Sequence, residues 1–390
     1  MSNVAKRRLV VFLVVPVALA LAAFALDALP ATRYTRAIYE LLFFLLLVDI
    51  AVAVPDKWRN VVIPVASLAF CLFVAEIFIA AFLNKSGGDA PGFSVSRADL
   101  GWGPAAPGIY RGVRTNNDGS TIYDVNYTFT EDLIRKTESA PGGPAIAFFG
   151  DSMTFGQGLP DNQTLPQYFA DLSGRKIRVL NFAYPGYGPQ QFLRPLEVGM
   201  FDRVLTGTKI FVYQAAAWQA ERASCRAPYA ARAPRYEMKD GRLVYMGACA
   251  EGLRRLYSDI VLGSSFYQKL IAPRLPGVDG RDIEIYIAEL VRCAQLVREK
   301  FGARLIVLYS TESAAYLAQT GFTDAMIQER LRQGGVDVVD DTLSFGEFLP
   351  GTLFTIPGDG HPTEVVARAR ATILYRYLVE AEPFVRKALE

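Results

Sequence analysis

The feature that most constrains this 390-residue chain is where its apolar residues lie. Leu9 to Leu26 is an uncharged run preceded by Lys6-Arg7-Arg8. Ala37 to Val54 is rich in Leu and Phe but carries Glu40 and Asp49, and Val61 to Leu83 is broken only by Glu76. Each run approaches the ~20 residues that cross a hydrocarbon core, so residues 1–84 read as a membrane anchor of three transmembrane helices. Lys6, Arg7, Arg8, Lys57 and Arg59 would then face the cytoplasm, outnumbering Arg33 and Arg36. Three spans put everything after Asn84 outside; two would leave it inside. The expectation is a multi-pass inner-membrane protein whose large domain lies on the periplasmic or extracellular side. Asp49 and Glu76 are acids at membrane depth, which mark either a relay or partner contact, or a hydrogen bond between helices.

Residues 85–143 read as a connector. Lys85 to Pro91 is a polar linker, and Asn116-Asn117-Asp118-Gly119 signals a turn before the alternating stretch Thr121 to Phe129, so a small antiparallel β-ribbon is expected. From Pro144 on, short β-rich runs alternate with amphipathic stretches, the pattern of a parallel sheet covered by helices on both faces. Strands are expected at Ala145 to Phe149, Ile177 to Phe182, Lys209 to Tyr213, Arg304 to Tyr309 and Val336 to Val339, with helices at Arg281 to Phe301 and from Pro362 to about Leu389. That describes a doubly wound α/β domain with a flavodoxin-like parallel sheet over residues 144–390. Residues 219–280 break the rhythm and read as an insertion over the sheet's functional edge, containing a hairpin turned at Asp240-Gly241.

Forty-one Lys and Arg against 39 Asp and Glu leave a net charge of +2, with no basic run of the kind that tracks nucleic acid. Cys225 and Cys249 flank the hairpin and can pair if the domain faces an oxidising compartment, or stay free. The cysteine spacing has no zinc signature, and no metal or cofactor is expected. Asn126-Tyr127-Thr128 and Asn162-Gln163-Thr164 match the glycosylation acceptor pattern.

The chemistry concentrates at Ala145-Ile146-Ala147-Phe148-Phe149-Gly150-Asp151-Ser152. A buried strand that stops at glycine would present the Ser152 hydroxyl at the carboxyl edge of the sheet, where open α/β sheets bind ligands. A serine there can be a nucleophile or simply a helix N-cap. As a nucleophile it needs a base oriented by a carboxylate. The only histidine is His361, in Pro357-Gly358-Asp359-Gly360-His361-Pro362, with Asp359 two residues earlier.

Gly150-Asp151-Ser152, Asn181-Phe182-Ala183-Tyr184-Pro185-Gly186 and Asp359-Gly360-His361, in this order, resemble blocks I, II and V of the SGNH/GDSL hydrolase family. The resemblance covers residues 144–390, and the ribbon before it resembles the lead-in of membrane-anchored members. It implies an SGNH hydrolase fold, Ser152 as nucleophile, His361 as base and Asp359 as its orienter, with the Ser152 and Gly186 amides donating to the oxyanion. Asp151 would shape the turn. The family's Asn-Asp pair after the third strand is absent. Tyr213-Gln214-Ala215-Ala216-Ala217-Trp218-Gln219 stands there, with Gln214 or Gln219 as the candidate further donor. The family's acid often lies three residues before the histidine, where this chain has Gly358. The two-residue spacing resembles that of alginate O-acetyltransferase-like members. The implied substrate is an acylated envelope or extracellular glycan, hydrolysed by an esterase or re-esterified by an O-acyltransferase. A non-catalytic accessory protein that binds a glycan or a membrane-protein partner is the rival implication.

Overall fold

The structure is a computed structural model that describes residues 35–82, 93–116, 118–262, 264–274, 277–311 and 314–390. The first apolar run with Lys6, Arg7, Arg8 and Arg33, and the linker Lys85 to Pro91, lie outside the described residues. The chain divides into two compact units, Met1–Ser86 with Ala250–Leu275, and Gly87–Cys249 with Pro276–Glu390. The stretch 219–280 is therefore divided rather than forming one insertion: its hairpin belongs to the α/β unit and residues 250–275 to the N-terminal unit.

In the N-terminal unit, α1 (Thr35–Ala53) and α2 (Asp56–Phe82) form a hairpin closed at Pro55, with Arg59 Nε donating to the Ala51 carbonyl at 3.1 Å. The turn is shorter than the sequence suggests, so Lys57 and Arg59 sit in the first turn of α2 rather than in a loop. Among the described residues, one helix is long and apolar enough to cross a membrane, over Asp56–Ile79. α1 carries Arg36, Glu40 and Asp49 within its 19 residues and does not meet that requirement, while the first expected span lies outside the described residues. Glu76 is buried at 1 % exposure, and its carboxylate accepts the amides of Ser265 at 2.8 Å and Phe266 at 3.1 Å. Those amides lie in the first turn of a helical segment, so this acid caps a helix end.

The α/β unit opens with two antiparallel pairs, β1 (Val95–Arg97) with β2 (Gly101–Gly103), and β3 (Gly108–Thr115) with β4 (Thr121–Phe129). The latter is the ribbon expected from the turn signal, with Asp118 accepting the Ser120 amide at 2.8 Å. Five parallel strands follow: β5 (Ala145–Phe149), β6 (Arg178–Asn181), β7 (Thr208–Ala215), β10 (Arg304–Tyr309) and β11 (Asp337–Asp340). Their order in space is β11-β10-β7-β5-β6. Counting only these five, that is 2-1-3-4-5, the flavodoxin-like order. Between β7 and β10 the hairpin of β8 (Pro234–Lys239) and β9 (Arg242–Ala248) is tied at its base by a Cys225–Cys249 disulfide.

The central strands are apolar apart from Thr208, Lys209, Gln214 and Arg304, because both faces are covered. Successive side chains alternate: Ala145, Ala147, Phe149, Phe211, Tyr213, Leu305 and Val307 enter one core layer. Ile146, Phe148, Ile210, Val212, Ile306 and Leu308 enter the other. The first layer is closed by α5 (Gln190–Val198), α6 (Gly280–Phe301) and α7 (Asp324–Gln333), the second by α4 (Leu165–Leu172) and α8 (Glu364–Ala381). The expected single helix to Leu389 is two, because Glu382-Pro383 breaks it and a new helix runs Pro383–Leu389. Pro cannot donate the amide a continuing helix needs.

Candidate active site

β5 stops at Gly150, whose φ of 148° suits glycine and where a Cβ would lie 2.5 Å from Thr154 Oγ1. The chain turns at once into the one-turn helix α3 (Ser152–Phe155). Asp151 is its N-cap, accepting the Met153 amide at 2.9 Å. Ser152 is therefore the first helical residue, not the cap, at the carboxyl end of β5 and 7 % exposed. The sheet order reverses between β5 and β7, so this is a topological switch point, where α/β sheets open a crevice.

Gly186 follows β6 at the same edge. Trp102 on β2 clamps its turn, its Nε1 donating to the Pro185 carbonyl at 2.9 Å, while Tyr187 donates to the Trp102 carbonyl at 2.6 Å. Among the described residues, neither the Ser152 amide nor the Gly186 amide donates to another protein group.

The turn that carries Ser152 is braced from behind by Arg135, whose side chain is fully buried. It donates to the carbonyls of Phe155, Gly156 at 2.9 Å and Leu159 at 2.7 Å, and pairs with Asp161 at 3.2 Å. Its guanidinium also lies over the Tyr127 and Phe155 rings, at 4.7 and 4.3 Å. Burial lowers its pKa to about 10, with Asp161 opposing, so it stays charged at neutral pH.

His361 lies on the loop between β11 and α8. Thr355 and Pro362 bridge across this loop, and the Ile356 amide donates to the His361 carbonyl at 2.7 Å. Ile356 also packs on Gly158, just beyond α3. His361 Nδ1 lies 2.5 Å from Asp359 Oδ2. The Asp359 side chain is wholly buried, and its other oxygen faces Arg114 Nε on β3 at 2.9 Å, an ion pair not aligned as a hydrogen bond. Burial alone would raise the Asp359 pKa. The bond and charge of His361, with Arg114, outweigh it and hold the carboxyl below its ordinary value. A carboxylate there fixes Nδ1 as the protonated nitrogen and leaves Nε2 as a proton acceptor. Among the described residues, no hydrogen bond joins Ser152 Oγ to His361, a link that in unliganded sites often tightens only with substrate.

The two glutamines after β7 are both engaged. Gln214 Oε1 accepts from Thr154 Oγ1 at 2.8 Å, leaving its amide nitrogen as the donating end. Gln219 Oε1 accepts from Tyr213, and its amide nitrogen donates to Asp151 at 3.1 Å and the Gln214 carbonyl at 3.2 Å. Gln219 thus serves the turn. Asp151 also pairs with Arg222 Nη1 at 2.6 Å. Burial would raise its pKa, but Arg222, the Met153 amide and Gln219 together lower it. Arg114, Arg135 and Arg222 are three site residues that sequence reasoning missed. Each comes from outside the family blocks, and no local pattern sets it apart from a surface arginine. Among the described residues, no group of three His, Cys, Asp or Glu is placed to hold a metal.

No protein-family model and no curated protein matches the chain. Among solved structures it is similar to a member of the lipolytic G-D-S-L family from Veillonella parvula, at 16% identity over 60% of this chain and 97% of that one, with a TM-score of 0.33. It is also similar to an acetyl xylan esterase from the rumen bacterium Butyrivibrio proteoclasticus, at 10% identity over 65% and 68% of the two chains and a TM-score of 0.34. A third is a salicylyl-acyltransferase from a tetracycline biosynthetic pathway, at 14% identity over 63% and 58%, with a TM-score of 0.30. The chain is thus similar to solved proteins of G-D-S-L type.

Proposed function

We propose that this protein is a serine esterase of SGNH/GDSL type, acting on O-acetyl or related acyl esters of an envelope or extracellular glycan from a membrane-anchored position. The observation that carries the reading is the lone histidine: its Nδ1 is engaged by a buried carboxylate, and its loop packs against the turn that follows the strand-end serine.

Ser152 Oγ attacks the acyl carbonyl while His361 Nε2 takes the hydroxyl proton, and Asp359 stabilises the imidazolium that results. The Ser152 and Gly186 amides, spent on no other group among the described residues, donate to the oxyanion. His361 then returns the proton to the departing sugar oxygen. Water completes hydrolysis; a second sugar hydroxyl in its place completes acyl transfer by the same groups. The glycan and the acetyl group rest on the resemblance of the sequence blocks. The disulfide supports an oxidising, external compartment for the domain, since such bonds are rare in the cytosol.

An alkyl fluorophosphonate probe tests this on the full chain. Wild type should be labelled and Ser152→Ala should not; a folded but unlabelled wild type would overturn the catalytic reading in favour of the accessory one. Acetate release from a panel of acetylated glycans, with and without Ser152→Ala, then identifies the substrate.

A further inference from the structure

We propose that Arg222 is the third oxyanion donor of this site, acting through its Nη2 nitrogen in the position the missing asparagine would serve. The inference rests on the serine-esterase reading above and adds a residue to it.

Arg222 is tied to both loops that carry the Ser152 and Gly186 amides. Its Nη1 pairs with the carboxylate of Asp151, one residue before Ser152, and donates at 2.8 Å to the carbonyl of Tyr187, one residue after Gly186. Its Nε donates to Tyr229 at 2.8 Å, and the Tyr229 ring packs on Gly186. The side chain passes over Gly188, where a Cβ would sit 2.9 Å from Arg222 Cβ, so a glycine there lets the arginine lie along the loop. Nη1 and Nε are thus fully occupied. Nη2 has no partner among the described residues and is not sealed off, in a side chain that is 14 % exposed. A fork held by three fixed acceptors leaves its remaining N–H groups in one orientation, which is what a preorganised donor requires.

Charge gives a second reason. Asp151 is an ionised, buried carboxylate beside the nucleophile, and by itself it would oppose a developing oxyanion. A guanidinium shared between the two removes that penalty and adds attraction in a site partly shielded from water. Gln214 supplies only a neutral amide, and Gln219 has none left.

The test is the hydrolysis of an acetyl ester such as p-nitrophenyl acetate by the full-length protein. Arg222→Lys keeps a cation beside Asp151 but loses the fork, so kcat should fall about 10²- to 10³-fold with KM little changed and the melting temperature kept. Should that variant fail to fold, Asp151→Asn/Arg222→Gln removes both buried charges together and should show the same loss of kcat. In a folded variant, wild-type kcat, or a loss seen only in KM, would overturn the role, as would a loss confined to Gln214→Met. A folded wild type inert to both the ester and the fluorophosphonate would instead bring down the esterase reading itself, and this role with it.

Discussion

At the scale of single residues the site depends on carboxylates kept ionised where burial works against them. Asp359 is held low by His361 and Arg114, so its contribution to stability is present above the ordinary aspartate value, near 3.9, and is lost as pH falls through its lower folded value. Arg114→Gln removes one of these charges. The folded value then rises, and both the acid loss of stability and the acid limb of kcat/KM should begin at higher pH. Melting curves and pH–rate profiles measured side by side would show this; unchanged limbs would mean that Arg114 has no hold on the acid. Ser152, His361 and Asp359 were legible in the sequence because each sits in a short motif whose residues are neighbours in the chain. Arg114, Arg135 and Arg222 were not, because each meets its partner only after strands far apart in sequence come together.

Among the elements, the N-terminal ribbon is part of the site's support. β4 and the turn that carries Ser152 share an aromatic cluster, in which Phe155 stacks edge-on to Tyr127 with centroids 5.1 Å apart. Arg135 completes it by satisfying three carbonyls of the turn. Arg135→Met would leave those carbonyls buried and unpaired, at a cost of about 3 kcal/mol or more. Its denaturation midpoint should drop, and its fluorophosphonate labelling should slow even where it is folded. The hairpin of β8 and β9 depends on a different constraint. The Cys225–Cys249 bond spans a sequence separation of 24. A loop of that size stabilises by roughly 3 kcal/mol, so reductant or Cys249→Ser should lower the melting temperature. Equal melts with and without reductant would count against the bond.

For the whole molecule, the proposed membrane anchor has a testable consequence for the side on which the α/β unit stands. An external position is proposed from the charge pattern, the apolar runs and the disulfide. Alkaline phosphatase fused after Glu390 should be active and a fluorescent protein fused there dark, with the chain in the membrane fraction. A bright fusion would move the domain to the cytoplasm. The sequence by itself determined the strand set, the α/β class and the serine, histidine and acid of the candidate site, because alternation, glycine turns and short motifs are local properties of the chain. Only the tertiary structure decided that Glu76 caps a helix end, that residues 250–275 leave the α/β unit, and that Gln219 is spent on Asp151 while Arg222 joins Asp151 to the Tyr187 carbonyl. Those outcomes depend on which buried polar groups find partners across the fold, and pairing at long sequence separation leaves no periodic trace in the sequence.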